Sequence, residues 1–298
     1  MNFLDKLRKK KLKTNISELA HGVTKATLPP EREFDTSQKN IWYVLINPER
    51  AIEVRAWLKK NRMKALIMRG ENGETMLHWA VMSEYGIIID LVDAGISPNS
   101  KDRHGKTPMD WLLERYWYTC VEKEGRLNRD GQYKIKSQTE DLGVVLWGMG
   151  GRPSENNPES LDANLVAARG GLWWYLQLLY ETYGLDSLRG WMSDKRSVMH
   201  TWILSENNEQ KFVRMQELIK WGLSIDEVDA NGRTCLWYAT DAWKNDLETD
   251  LMVEMIPELL KLGADPDIDD VNGISPRNVL SGEKAEEFER FILNNSIH

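Results

Sequence analysis

Cysteine, phenylalanine, histidine and uninterrupted apolar sequence are all scarce in this chain of 298 residues. Its two cysteines, Cys120 and Cys235, stand far apart. That excludes a disulfide framework and any repeated thiol spacing for a metal, and points to a reducing compartment. The five histidines show no His-x-x-x-His or His-Glu-x-x-His spacing, so no metal site is expected. The most apolar window, Leu165 to Tyr180, holds Arg169 and Gln177 and is too short to span a bilayer. Six cations crowd Lys6 to Lys13, but no apolar stretch of the kind a secretory signal needs follows them. A cytoplasmic protein without a membrane span is therefore expected. No Gly-x-Ser-x-Gly elbow occurs, and neither cysteine sits in a nucleophile motif. The run Gly148-Met149-Gly150-Gly151-Arg152-Pro153-Ser154 lacks the Lys-Ser/Thr pair of a nucleotide loop and reads as a plain loop. With no chemistry standing above background, the chain is read as a non-enzyme without a cofactor.

What is present is the composition of a folded protein: 41% apolar and 29% charged residues, without the apolar deficit of a disordered chain. Thirteen Trp against five Phe suit a wide inter-helix core or an amphipathic contact surface.

Internal repetition organises the chain. The phrase Asn72-Gly73-Glu74-Thr75-Met76-Leu77-His78-Trp79-Ala80 returns as His104-Gly105-Lys106-Thr107-Pro108-Met109-Asp110-Trp111-Leu112. It returns again as Asn231-Gly232-Arg233-Thr234-Cys235-Leu236-Trp237-Tyr238-Ala239 and as Asn272-Gly273-Ile274-Ser275-Pro276-Arg277. Glycine before Thr or Ser suits a positive-φ turn leading into a helix N-cap, and Pro108 and Pro276 then fall at the first helical position. A second phrase lies upstream of three of these turns: Leu91 to Asn99, Leu218 to Asp226 and Leu259 to Asp267. Each has an apolar pair followed by glycine, the signature of a helix with a glycine C-cap. The unit is helix, helix, then an extended polar loop.

These residues resemble the ankyrin family, with Asp102 to Met109 and Leu259 to Asp265 the closest matches to its phrases. Weaker copies lie around Ser197 to Trp202 and Leu165 to Gly171, and a degenerate first unit has a second helix containing Val54, Trp57 and Leu58. The resemblance implies an all-α solenoid of about six to seven helix-turn-helix units with inter-repeat loop fingers and irregular insertions. The expected divisions are a basic leader over 1–40, repeats over 41–118, an irregular insertion over 119–160, and repeats with a closing helix over 161–298. The stretch Thr119 to Ser160 holds no repeat phrase. His78 and His200 fill the family's histidine slot, which implies a structural role.

For function, the resemblance implies binding of a protein partner through the fingers and a concave helix face. Charge adds to this, because Ile225 to Asp270 carries thirteen acids against three cations, a more negative balance than the −7 of the whole chain. An acidic rim repels nucleic acid and steers a basic protein. The candidate partner-binding residues are Asn72, Glu74, Trp79, Arg103, His104, Trp111, Asp229, Asn231, Trp237, Tyr238, Asp267, Asp269, Asp270 and Asn272. An immunity protein that neutralises a basic toxin such as a nuclease fits them. The alternatives are an adaptor or effector with an activity in 119–160, and nucleic-acid or anionic-membrane adhesion through Lys6 to Lys13.

Overall fold

The computed structural model describes residues 41, 45, 50–82, 85–121, 129–155, 157, 162–189, 195–203, 210–247 and 249–295. The basic leader over 1–40 lies outside them. Among the described residues there are thirteen α-helices and no β-strand.

The repeat phrases start helices for the capping reasons read from sequence. Thr75, Thr107, Ser197, Thr234 and Ser275 each hold extended backbone immediately before a helix. The Thr107 hydroxyl accepts from the Asp110 N–H, and the Thr234 hydroxyl from the Trp237 N–H, so donors that a helix start would leave orphaned are satisfied. Second helices end on glycines at positive φ: Gly95 at 105°, Gly222 at 107° and Gly263 at 91°. The next residue folds back there, as in Ile96 N–H to Leu91 O (3.1 Å) and Ala264 N–H to Leu259 O (3.0 Å).

The chain divides after Ala163 into two compact units. In the first, α1 (Ala51–Ile67) contains Val54, Trp57 and Leu58 and kinks at Asn61, whose φ of −128° and ψ of 27° are not helical. Then come α2 (Met76–Ala80), α3 (Tyr85–Asp93), α4 (Pro108–Tyr116), a π-helical turn (Trp117–Val121) and α5 (Arg129–Gly148). First helices stack on first helices, α2 on α4, while second helices stack in a parallel row, α1 on α3 and α3 on α5. The 20-residue α5 falls inside the stretch without a repeat phrase and completes the pair begun by α4. It buries Leu142, Val144, Leu146 and Trp147.

The second unit holds α7 (Trp173–Tyr183), α8 (Val198–Trp202), α9 (Lys211–Lys220), α10 (Cys235–Lys244), α11 (Thr249–Lys261), α12 (Pro276–Val279) and α13 (Glu283–Asn295), with α6 (Ala163–Arg169) at its start. Again α8 packs on α10 and α10 on α12, with α11 on α13. The core is aromatic: Trp202, Trp243, Tyr175 and Phe288 are fully buried. Of the adjacent tryptophans at the start of α7, Trp174 is buried and Trp173 lies half-buried against the Trp221 ring at 4.9 Å. The last helix, α13, buries Phe288.

Candidate functional site

The fingers are built from one carboxylate each. Asp102 closes its loop through two main-chain bonds, its own N–H to Lys106 O (3.0 Å) and Gly105 N–H to Asp102 O (3.1 Å). Asp229 and Asp270 repeat that pair with Arg233 and Gly232, and with Ile274 and Gly273. One carboxylate oxygen then accepts from the N–H groups two and four residues on. These are His104 and Lys106 for Asp102 (2.9 Å each), Asn231 and Arg233 for Asp229 (2.8 and 3.0 Å), and Asn272 and Ile274 for Asp270 (2.8 and 3.1 Å). An aromatic residue on the following helix takes the second oxygen in two repeats, through Trp111 Nε1–H to Asp102 (3.0 Å) and the Tyr238 hydroxyl to Asp229 (2.6 Å). Burial alone would raise the Asp229 carboxyl, but the Tyr238 hydroxyl and the Arg233 and Asn231 N–H groups outweigh it and hold it below the usual carboxylate range.

The first finger lacks its aspartate. Gly70 stands there, with its N–H on Glu74 O (2.8 Å) and Gly73 N–H on Gly70 O (3.0 Å), the same frame as the other three. The Glu74 side chain folds back into the missing carboxylate's place and accepts from the Asn72 N–H at 2.7 Å. A Cβ at residue 70 would run into Glu74 Cδ. Glu74 is 1% exposed.

Neighbouring fingers are tied by Arg103 N–H to Asn72 O (2.6 Å) and by Val271 N–H to Asn231 O (2.8 Å). A third tie runs from the residue three after the N-caps Thr75, Ser197 and Thr234. His78 Nε2 meets Lys106 O, His200 Nε2 meets Arg233 O (3.0 Å each), and Trp237 Nε1–H donates to Ile274 O at 3.1 Å. The histidines' Nδ1 atoms face the Thr75 and Ser197 N–H groups at 3.1 Å. A carbonyl can only accept and an N–H only donate, so both rings are neutral with the proton on Nε2. Burial lowers the pKa of both. Because the folded value lies below the unfolded one, this stabilisation is complete above about pH 6.5 and is lost as pH falls through the folded value. The melting temperature is therefore expected to drop as a buffer series runs from pH 7 to pH 5; a flat profile would contradict the neutral ladder.

This geometry sorts the candidate residues. Glu74, Trp79, Asp229, Trp237 and Asp270 are buried. Glu74, Asp229 and Asp270 hold their fingers' own turns, and Trp237 occupies the histidine position of its repeat and does the histidine's work. These five side chains therefore face the interior of the repeats. Asn72, Trp111, Asn231 and Tyr238 are half-buried, whereas Arg103, His104, Asp267, Asp269 and Asn272 are exposed. Asp267 is paired with Arg277, which holds its carboxyl below the usual range. Sequence reasoning missed the exposed apolar residues of the second unit's fingers, Val228 (50%), Val271 (69%) and Ile274 (40%). For Val271 a signal was available, because it holds one of the two positions between Asp and Gly in its phrase, whereas Val228 and Ile274 flank those phrases.

Elsewhere, Gly150 N–H and Gly151 N–H bond to Trp147 O and Leu146 O, so the glycine run after α5 is a helix end and not a phosphate cradle. Burial pushes the Cys120 thiol up to about 11 and that of Cys235 up to about 12, which leaves both as thiols at neutral pH. No three His, Cys, Asp or Glu side chains among the described residues are grouped to hold a metal ion. A cleft of about 180 Å³ lined by Trp173, Gln177, Arg214, Glu217, Lys220 and Trp221 is smaller than small-molecule sites generally are. No helix among the described residues is long and apolar enough to cross a membrane.

Comparison with known proteins gives the class. Residues 72–103 match the family model of the ankyrin repeat. The ankyrin repeat domain of Bcl-3, a member of the IkappaB protein family, superposes with a TM-score of 0.56 at 19% identity, covering 85% of this chain and 98% of that one. The human ASB11 ankyrin repeat domain gives 0.55 at 14% identity, with 87% and 98% covered. The Bd0816 predatory endopeptidase from Bdellovibrio bacteriovorus in complex with immunity protein Bd3460 gives 0.39 at 14% identity over 87% of this chain and 97% of that one, too low to carry an argument. No curated protein matches the chain. The chain carries an ankyrin repeat and has the ankyrin-repeat fold. Proteins of this class mediate protein–protein interaction, and the fold is typically a non-enzymatic binding scaffold.

Proposed function

We propose that this chain binds and blocks one basic protein through the fingers of its second unit, as an immunity protein neutralises a basic toxin such as a nuclease. The observation that carries this is a division of labour among the acids. Asp229 and Asp270 are buried in their turns, while Asp265, Asp267 and Asp269 stay exposed on the same stretch as Val271 and Ile274, Asp265 accepting from the Asp267 N–H and Asp267 paired with Arg277. Apolar side chains at a tip rimmed by like charges supply what a tight interface uses, a desolvated centre for affinity and a charged rim for steering. The adaptor reading has less support, since α5 takes up much of 119–160 and packs on α3 and α4 as a repeat's second helix.

Reversing Asp265 and Asp269 to Lys tests the proposal. The association rate with the captured partner should fall at least about tenfold at low ionic strength, and its salt dependence should flatten. An unchanged rate would refute a basic partner at these fingers.

A further inference from the structure

The helix α1 is apolar on two opposite faces. Val54, Leu58 and Ala65 are buried, whereas Ile52, Met63 and Ile67 on the other side are 76%, 74% and 76% exposed, with exposed Ala56 between them. A third side is taken by neighbours: Arg55 pairs with Asp90, and Arg62 donates to the Asp93 and Ala94 carbonyls of the chain leaving α3. The exposed stripe is flanked by exposed Lys59, Lys60 and Lys64. The one carboxylate on α1, Glu53, is held by Arg50 at 2.7 Å. A kink at Asn61 divides the stripe, with Ile52 and Ala56 one turn apart before it and Met63 and Ile67 one turn apart after it. Exposed aliphatic residues edged by lysines are what an interfacial segment presents to a bilayer.

We propose that this stripe docks on an anionic lipid surface, with Ile52, Met63 and Ile67 entering the headgroup boundary and Lys59, Lys60 and Lys64 meeting lipid phosphate and carboxylate. Charge complementarity selects this occupant. The chain's own leader, with six cations over Lys6 to Lys13, has the wrong sign to cover a lysine-edged stripe and the right sign to lie on the same anionic plane. Lysine suits that plane, because its long apolar stem lies along the stripe while the ammonium reaches the headgroups. A nucleic acid would engage the lysines but leave the three aliphatic side chains in water.

The test is sedimentation of the full chain with vesicles of phosphatidylcholine alone or with about 30% phosphatidylserine, at low and high salt. The chain should partition onto the anionic vesicles only, and less as salt rises. Replacing Ile52, Met63 and Ile67 together by Asn should lower partitioning at least about tenfold, with the circular dichroism unchanged because all three side chains already face water. Met63→Glu alone should act in the same direction. Equal binding to neutral vesicles, no binding to either, preference for duplex DNA over vesicles, or a triple variant that binds like the wild type would each overturn the proposal. The last result would assign adhesion to the leader alone.

Discussion

Replacing Glu74 by Ala should cost about 2 kcal/mol of stability, and installing Asp at position 70 in the same chain should restore most of it. The expectation rests on the Gly70 finger having the same main-chain frame as those at Asp102, Asp229 and Asp270. In those three the carboxylate comes from the first residue; here it reaches back from the fifth, and Asn72 N–H depends on it. Gly70→Asp alone should also destabilise, because its Cβ would run into the Glu74 side chain and two carboxylates would crowd one buried position. Two harmful single changes that largely cancel when combined form a double-mutant cycle with a coupling of at least about 2 kcal/mol. Urea unfolding followed by tryptophan fluorescence reads it. Additive losses would show that Glu74 does not replace the missing aspartate.

Asp229→Ala should be the most damaging finger substitution in the second unit, at about 3 kcal/mol, against about 1 kcal/mol for Tyr238→Phe. The aspartate accepts from Asn231 N–H, Arg233 N–H and the Tyr238 hydroxyl, all within 3.0 Å, and is 5% exposed, so its loss leaves three donors without a partner. Tyr238→Phe removes one donor and keeps the turn. Because the folded pKa of Asp229 is depressed, its contribution is present above the usual carboxylate range and vanishes as pH falls through the folded value. The difference between wild type and Asp229→Ala should therefore shrink below about pH 4. Amide exchange should report the local event as faster exchange at Asn231 and Arg233. Protection unchanged at those two amides would contradict the assignment.

The helix starts were legible because capping is local. Thr75, Thr107, Ser197, Thr234 and Ser275 each carry their signal within a few residues, and every one precedes a helix. The helix α5 was not legible as a repeat element, because its pair is separated from α4 by a longer connection and so breaks the period that identifies the others. The environment of the finger acids was legible only in part. Acids in the fingers were visible, but whether an aspartate faces solvent or its own turn depends on main-chain geometry two and four residues away. Trp237 illustrates the same limit: an aromatic side chain reads as a contact residue until alignment with His78 and His200 shows which carbonyl its N–H must reach. Val271 was passed over because a lone valine between Asp270 and Asn272 carries no periodic signal, although its place in the loop between Asp and Gly marks it as a tip position.

The central claim is that the second unit's fingers hold a basic protein by their exposed acids and apolar tips. The most direct measurement is a titration of the partner captured from the native cell against wild type and against a variant carrying Asp265→Lys, Asp269→Lys and Val271→Asp. The expected result is a basic protein bound by the wild type and weakened by at least about 100-fold in the variant, with folding intact. Equal affinity for both chains, or a captured partner that is acidic, would contradict it.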